Sequence, residues 1–181
     1  SAAPAPGGGG GAAMAGALAA ALASMVANLT IGKEKFADRE PEVKELLKQA
    51  EAERVRLLAL VDEDAAVFNS FMSCYKLPKA TDEEKAARTA AIRAAAKQAA
   101  TVPLNIARSS FAVLQLADKL VVAGNPGVIT DGACSGLLAR AALRCAEYNV
   151  RINLGLTKDE AWNAQVAAEL QQLLADAEVL E

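Results

Sequence analysis

The stretch AAMAGALAAALASMVANLTI, residues 12–31, carries no charged residue and decides the fold class. As an α-helix it is long enough to cross a membrane. It is mostly alanine, however, and Ser24, Asn28 and Thr30 make it only weakly hydrophobic. A helix that is apolar on all sides and buried at the centre of a helical bundle fits this composition better. We therefore expect a central bundle helix and no membrane association.

The composition of the whole chain also favours packed helices. Apolar residues make up 53% of the 181 residues, whereas aromatic residues make up only 4%. An alanine-rich, aromatic-poor core is typical of closely packed helices rather than sheets. The length predicts one domain, spanning residues 1–181. The net charge of −3, with basic and acidic residues interspersed, predicts no nucleic-acid partner.

Helix start and stop signals divide the remaining chain. First-turn prolines, capping boxes and an N-cap aspartate mark starts at Pro41, Thr81–Glu84, Pro103, Asp131 and Thr157–Glu160. The corresponding helices end near Leu77, Ala100, Gly124 and Gly155, and the last runs to the end of the chain. No segment alternates like a strand. The sequence therefore predicts an all-α bundle of about six helices with short connections.

The chain contains no histidine, which excludes Ser-His-Asp and Cys-His nucleophiles and nearly every common zinc site. We predict no metal, and an acid and base drawn from Asp, Glu, Lys, Tyr or Cys. Cys74, Cys134 and Cys145 form an odd set without CxxC spacing. Buried thiols in a reduced, cytoplasmic protein are the expected arrangement.

One carboxylate interrupts an apolar face of the second predicted helix. At about 100° per residue, Asp64 lies between Val61 and Phe68, whereas Glu63 points to solvent. The face consists of Leu57, Val61, Phe68, Phe71, Met72 and Tyr75. A carboxylate in such surroundings is costly unless paired, and its pKa tends to rise. It is a candidate general base or acid, or one half of a structural ion pair with another helix.

The fifth predicted helix carries a polar residue on an apolar face as well. Asn149 shares its face with Leu138, Ala142, Cys145 and Ile152, which places its amide in the expected core. A second face is charged and is interpreted as an ordinary solvated surface. That face consists of Arg140, Arg144, Glu147 and Arg151.

Polar loops and a glycine run supply further candidates. Lys33 and Lys35 follow the first helix, Lys79 follows the second, and Asn125 and Asp131 lie in the loop GNPGVITD. By composition the glycines of residues 7–11 are either a linker or an unobstructed helix start. In the second case their N–H groups, with the positive end of the helix dipole, accept a carboxylate, a phosphate or a developing oxyanion.

Seven stretches together resemble one family, in order from residue 4 to about residue 155. They are PAPGGGG, SMVANLTIGKEKF, LVDEDAAVF, LPKATDEEKAAR, ATVPL, GNPGVITD and YNVRINL. The family comprises the C-terminal half of formiminotransferase-cyclodeaminase and stand-alone bacterial methenyltetrahydrofolate cyclohydrolases. The resemblance implies that the glycine run is native. It also implies an all-helical protomer that dimerises and binds a reduced, polyglutamylated folate, with no cofactor beyond this substrate.

The resemblance implies site residues as well. The family's acidic D-x-x-x-F element falls on Asp64 to Phe68, so Asp64 is expected to be the catalytic base. As a mechanistic hypothesis, either Asp64 or Lys79 supplies the proton to the departing ring nitrogen. The expected substrate contacts are Gly7, Gly8, Gly9, Asn28, Lys33, Lys35, Asn125, Asp131 and Asn149. Lys33, Lys35 and the glycines are assigned to the anionic folate tail.

Two activities follow from this resemblance. A cyclohydrolase hydrolyses 5,10-methenyltetrahydrofolate to 10-formyltetrahydrofolate, and a cyclodeaminase closes 5-formiminotetrahydrofolate with release of ammonia. We expect the cyclohydrolase, because the chain shows no formiminotransferase domain to supply the formimino substrate. A non-enzymatic helical scaffold would need no carboxylate on an apolar face, so the stripe around Asp64 argues against one.

Overall fold

A computed structural model describes residues 6–180. The described chain forms five α-helices and two short 3-10 helices, and it contains no strand in that range. The α-helices are α1 (Gly8–Asn28), α2 (Glu40–Cys74), α3 (Asp82–Ala123), α4 (Ile129–Thr157) and α5 (Glu160–Glu178), and the 3-10 helices are Glu34–Phe36 and Pro126–Val128. The all-α prediction is confirmed, with five helices in place of about six.

Helix α1 lies at the centre and packs against α2, α3 and α4. Small residues allow this close packing: a Cβ added at Gly16 would lie 3.0 Å from Ser110 Oγ and 3.1 Å from a Leu57 methyl. By length and mean hydropathy (1.7) α1 could cross a membrane, but 61% of its apolar window is buried inside the bundle. The predicted central helix is therefore confirmed, and the absence of membrane association stays a prediction.

Helix α5 covers the groove between α3 and α4. It buries Val166, Leu170 and Leu174 against the core. A two-pronged ion pair joins it to α3, in which Arg108 Nη2 lies 2.7 Å from Glu169 Oε2. The pair lowers the pKa of the Glu169 carboxyl, and the hydrogen bond from Arg108 is the main cause.

The prediction that Pro103 starts a new helix is wrong. Helix α3 runs from Asp82 through Pro103 to Ala123 without interruption. Proline has no N–H, so it leaves the carbonyl of Ala99, four residues earlier, without its usual helical donor. The side-chain amide of Asn153 on α4 donates to that carbonyl at 2.7 Å instead. This tertiary hydrogen bond helps the helix to tolerate an internal proline.

Of the four remaining predicted helix starts, two are confirmed and two are wrong. Pro41 in the first turn of α2 and the Thr81 capping box of α3 are confirmed. Asp131 is not an N-cap, because α4 already begins at Ile129. The Thr157 capping box is also wrong: α4 extends through Thr157, and Asp159 caps α5 by accepting a backbone N–H at 3.1 Å.

The predicted apolar face of α2 is only partly buried, because α2 is longer than α1, against which it packs. Asp64 lies level with the start of α1 at its glycines, and α2 continues to Cys74. Leu57 and Phe71 are buried as expected. The other large residues of the distal part are partly exposed, Phe68 to 36%, Met72 to 45% and Tyr75 to 41%. Because α1 begins at Gly8, it does not cover this part of α2.

Helix α4 also differs from its predicted faces. Ala139, Leu143, Ala146 and Val150 form its buried side. Ile152 is 70% exposed, and Cys145 and Cys134 are exposed while Cys74 is only half-buried, so the predicted buried thiols are wrong. The charged face is not uniformly solvated either. Glu147 is 6% exposed and pairs with Arg144 at 2.9 Å and with Arg151 at 2.8 Å. The helix packs against three neighbours, which a single apolar stripe does not describe.

Lys158, the first of the two residues between α4 and α5, adopts a left-handed conformation with φ of 56°. A non-glycine residue is strained there, whereas glycine is not. We expect Lys158→Gly to raise the free energy of unfolding by about 0.5–1 kcal/mol and Lys158→Val to lower it. Chemical denaturation checks this, with Lys158→Ala as the control near wild type. A Lys158→Gly variant less stable than Lys158→Ala would contradict the strain.

Candidate active site

The carboxylate of Asp64 lies on the first turn of α1. Its Oδ2 accepts the backbone N–H of Gly10 at 2.9 Å. A Cβ added at Gly9 would overlap the carboxylate, 2.7 Å from its Cγ. Only glycine at this position lets α2 bring a carboxylate against the backbone of α1. Asp64 therefore lies where the unpaired N–H groups of the helix favour a negative charge.

Burial nevertheless dominates the electrostatics of Asp64. Removal of the carboxylate from water raises its pKa above the usual aspartate value, and the hydrogen bond from Gly10 offsets only part of this rise. Among residues 6–180 no Lys or Arg forms a salt bridge with Asp64, so the alternative of an ion pair between helices is not observed. A desolvated carboxylate with a raised pKa and no counter-charge is suited to accept a proton.

Asp64 lines a cavity of about 190 Å³ that is enclosed by residues of four helices. The apolar side is formed by α2 and the polar side by α4, with the start of α1 beneath. The lining residues are Gly7, Gly8, Gly9, Asp64, Val67, Phe68, Phe71, Ala99, Asn149 and Asn153. The structure thus brings together the predicted Asp64, the three predicted glycines and the predicted Asn149.

Two amides from successive turns of α4 complete this cavity. Asn149 donates from Nδ2 to the Cys145 carbonyl at 2.8 Å, and a Cβ added at Gly8 would lie 3.2 Å from the same Nδ2. Asn153 donates from Nδ2 to the carbonyls of Ala99 and Asn149. Asn153 is not among the site residues predicted from the sequence. The signal available was its spacing of four residues from Asn149, which puts both on one side of a helix.

The other predicted contacts lie at the opposite end of α1. Asn28 is the last residue of that helix, and the exposed Lys33 and Lys35 follow it. Asn125 is engaged by two hydrogen bonds: its Nδ2 donates to the carbonyl of Leu29 at the end of α1 at 3.2 Å, and its Oδ1 accepts from Gly127 N–H in its own loop. Asp131 lies in the first turn of α4 at the same end. Within one chain, α1 separates this group from Asp64 by a length of about 30 Å.

Lys79 lies in the connection between α2 and α3, beyond the cavity. Ten residues of α2 separate Asp64 from the end of that helix at Cys74, a rise of about 15 Å. The structure does not bring Lys79 to Asp64 within one chain. No group of three or more His, Cys, Asp or Glu residues in the described range could hold a metal ion, and the predicted absence of a metal stays a prediction.

The described helices thus form an all-α bundle in which a desolvated carboxylate lies on a glycine-rich helix start. The chain belongs to the family described as Formiminotransferase-cyclodeaminase, whose sequence model matches residues 1–172. It is 45% identical, over 99% of its length and 86% of the relative's, to a protein of Methylorubrum extorquens named methenyltetrahydrofolate cyclohydrolase.

Other relatives are less similar in sequence than the Methylorubrum extorquens protein. The formimidoyltransferase-cyclodeaminase of Sus scrofa is 35% identical over 96% of this chain, which spans only 32% of that longer protein. Among solved structures, formiminotetrahydrofolate cyclodeaminase from Thermotoga maritima aligns with a TM-score of 0.88 and 31% identity, covering 99% of this chain and 86% of that one. The resemblance stated from sequence is therefore confirmed.

The contact between Gly9 and Asp64 gives a stability test with a matched control. We expect Gly9→Ala to lower the free energy of unfolding by about 1–3 kcal/mol, because the new methyl group overlaps the carboxylate. Gly11→Ala has open space around its Cβ and should raise stability by about 0.5–1 kcal/mol through helix propensity. Urea denaturation of both variants measures the difference, and equal stabilities would contradict the described packing.

Proposed function

We propose that this chain is a methenyltetrahydrofolate cyclohydrolase, which converts 5,10-methenyltetrahydrofolate and water into 10-formyltetrahydrofolate. The observation that carries the proposal is the Asp64 carboxylate, which forms no salt bridge within residues 6–180 and is held by Gly10 N–H in a cavity between four helices. The relative of Methylorubrum extorquens that bears this activity in its name supports the choice, since it matches over nearly the full length.

The chemistry requires little beyond a positioned carboxylate. The substrate carries a positive charge shared by two nitrogens, so the carbon between them is already electrophilic. Asp64 stabilises this cation and removes a proton from the attacking water through Oδ1, because Oδ2 is engaged by Gly10. A C–O bond forms as the water loses its proton to the carboxylate. The product of this step is a neutral carbinolamine and a protonated Asp64.

Ring opening then returns the proton. The carbinolamine hydroxyl loses its proton to water and its oxygen becomes the carbonyl of the formyl group on N10, the C–N5 bond breaks, and the carboxyl of Asp64 protonates N5. The net reaction releases one proton. Burial raises the pKa of Asp64, which makes the protonated form accessible during the cycle. Lys79 stays a prediction as a second donor; Asp64 is the nearer group, since the Lys79 connection lies beyond the end of α2.

Cyclodeamination is the second candidate, because relatives that carry that name match this chain at 29–35% identity. The same carboxylate can assist it, since ring closure of 5-formiminotetrahydrofolate forms the same cation with loss of ammonia. An assay of ammonia release from this substrate distinguishes the two activities. A faster rate with the formimino substrate than with the methenyl substrate would reverse the order of the candidates.

We further propose a homodimer that forms through an exposed apolar face. On α1, Met14 and Leu18 are 51% and 53% exposed, and no charged residue occurs in that helix. On the neighbouring α4, Tyr148 is 65% and Ile152 is 70% exposed. Large apolar side chains exposed on two helices that pack together are typical of a subunit interface.

Such a dimer would also explain the distant lysines. If the two copies of α1 cross in opposite directions near Leu18, the partner's end of α1 lies near the cavity of the first chain. Lys33 and Lys35 of one protomer would then contact the anionic folate tail bound beside Asp64 of the other. We propose the polyglutamate tail of the substrate, the homodimer and a cytoplasmic location of the protein together.

The proposed interface predicts that Leu18→Glu weakens the dimer. Two carboxylates would be buried against each other near the two-fold axis, and we expect the dimer dissociation constant to rise about thirtyfold or more. Analytical ultracentrifugation measures the change. Val122→Glu, at a 75% exposed position of α3, is the control that leaves the dimer unchanged. A Leu18→Glu protein that dimerises like wild type would place the interface elsewhere.

Asp64→Asn tests the catalytic proposal. We expect kcat for loss of the methenyl absorbance to fall about 10²–10⁴-fold, because the general base is lost while the shape is kept. Asp62→Asn, at an exposed neighbouring position of α2, is the matched control with wild-type activity. Activity retained by Asp64→Asn would remove the carboxylate from the mechanism.

The pH profile of wild type should show the same group. Because the base acts as the carboxylate, kcat/KM falls as the pH drops through the pKa of Asp64. Burial places that pKa above the usual aspartate value of about 3.9. The residual rate of Asp64→Asn should lack this acidic limb. An acidic limb of unchanged midpoint in the variant would assign it to another group.

A further inference from the structure

Pro103 on α3 and Asn153 on α4 are linked through the Ala99 carbonyl beside the cavity. Proline at 103 leaves the Ala99 carbonyl without the N–H that an α-helix normally provides four residues later. Asn153 of α4 takes this vacant acceptor at 2.7 Å and also donates to the Asn149 carbonyl at 2.8 Å. Ala99 and Asn153 both line the cavity that holds Asp64.

These contacts determine which way the Asn153 amide points. A carbonyl oxygen only accepts hydrogen bonds, so the atom of Asn153 that contacts both carbonyls is Nδ2. Both hydrogens of Nδ2 are thereby used, and Oδ1 accepts no hydrogen bond from residues 6–180. Asn149 is oriented in the same way, because its Nδ2 donates to the Cys145 carbonyl at 2.8 Å. Asn149 and Asn153 both line the cavity, one helical turn apart on α4, and the Nδ2 contacts leave the amide oxygen of each residue available as an acceptor.

We propose that Asn153 Oδ1, with Asn149 Oδ1 beside it, recognises the aminopyrimidine edge of the pterin ring, and that Pro103 sets this specificity by freeing the Ala99 carbonyl. The proposal rests on the proposed function and adds the ring edge that the site recognises. Asn153 is a binding residue, and Pro103 is a positioning residue that acts through it.

The distribution of donors on the substrate supports this assignment. The reacting amidinium carbon and its two nitrogens carry no N–H in the methenyl form. The N–H donors of the bicyclic ring are N8–H and, on the pyrimidine ring, N3–H and the 2-amino group. An edge that presents two adjacent donors requires oxygen acceptors. On the α2 side of the cavity, Phe68 and Phe71 offer apolar surface for the ring itself.

The experiment measures binding of tetrahydrofolate and of 2-desamino-tetrahydrofolate, which lacks the 2-amino donor, by isothermal titration calorimetry. Wild type should bind the parent compound about tenfold more tightly than the analogue, because an unpaired acceptor remains in the second complex. Asn153→Leu should bind the parent about tenfold more weakly and lose most of the discrimination. In the hydrolysis assay the same variant should raise KM while kcat changes less than about threefold.

A second amide provides the matched control. Asn163 on α5 donates to the Leu154 carbonyl at 2.9 Å, and its Oδ1 is occupied by the Thr157 hydroxyl, away from the cavity. Asn163→Leu removes an amide of the same kind and should keep the tenfold discrimination. If Asn153→Leu also keeps it, Asn153 has only a structural role and the proposal is overturned.

Pro103→Ala tests whether Pro103 positions the Asn153 amide. Because Asn153 itself is unchanged, this variant also tests the proposal if Asn153→Leu does not fold. The substitution introduces a backbone N–H at position 103 that competes for the Ala99 carbonyl. We therefore expect the discrimination to fall to about threefold, with tetrahydrofolate still bound. Unchanged discrimination would show that Pro103 does not orient the amide.

Recognition by Asn153 and the proposed function are disproved by different results. A wild-type protein that hydrolyses the methenyl substrate but binds both ligands equally would overturn only the recognition by Asn153. A wild-type protein that neither hydrolyses this substrate nor binds tetrahydrofolate would overturn the proposed function together with it.

Discussion

The close contact between the Asp64 carboxylate and the first turn of α1 is the constraint on which the site depends. It requires glycine at position 9, because any side chain there would overlap the carboxylate. It places the charge on the Gly10 N–H while burial raises its pKa. The same contact fixes the position of α1 along α2. The part of α2 that follows Asp64 therefore extends past the start of α1 and forms one side of the cavity.

This arrangement stabilises the site at the expense of the helix that supports it. Glycine is a poor helix former, and α1 begins with four of them. The helix persists because its alanine-rich body is buried between three neighbours, with Ala13, Ala19 and Ala20 fully covered. Tertiary packing thus compensates for low intrinsic propensity, which is the usual source of helix stability in proteins. The internal proline of α3 follows the same logic, since a neighbouring helix replaces its missing hydrogen bond.

The two ends of α1 carry different polar groups. One end presents Asp64 and the α4 amides, and the other presents Lys33 and Lys35 about 30 Å away. The face between them is apolar and exposed along Met14 and Leu18. In the proposed dimer this single face would both bury the apolar surface and bring opposite ends together, so that assembly and substrate binding would depend on the same residues.

The sequence by itself determined the helical class, the central helix, two helix starts and the family, because hydrophobic composition, capping residues and motif order are local properties. It also singled out Asp64, since a carboxylate within an apolar stripe is visible at helical periodicity. Only the tertiary structure decided that α3 continues through Pro103, that Glu147 is buried between two arginines, and that Asn153 belongs to the cavity. Each of these depends on a partner from another helix or on how neighbouring helices cover a residue, and the order of residues along one helix does not encode such contacts.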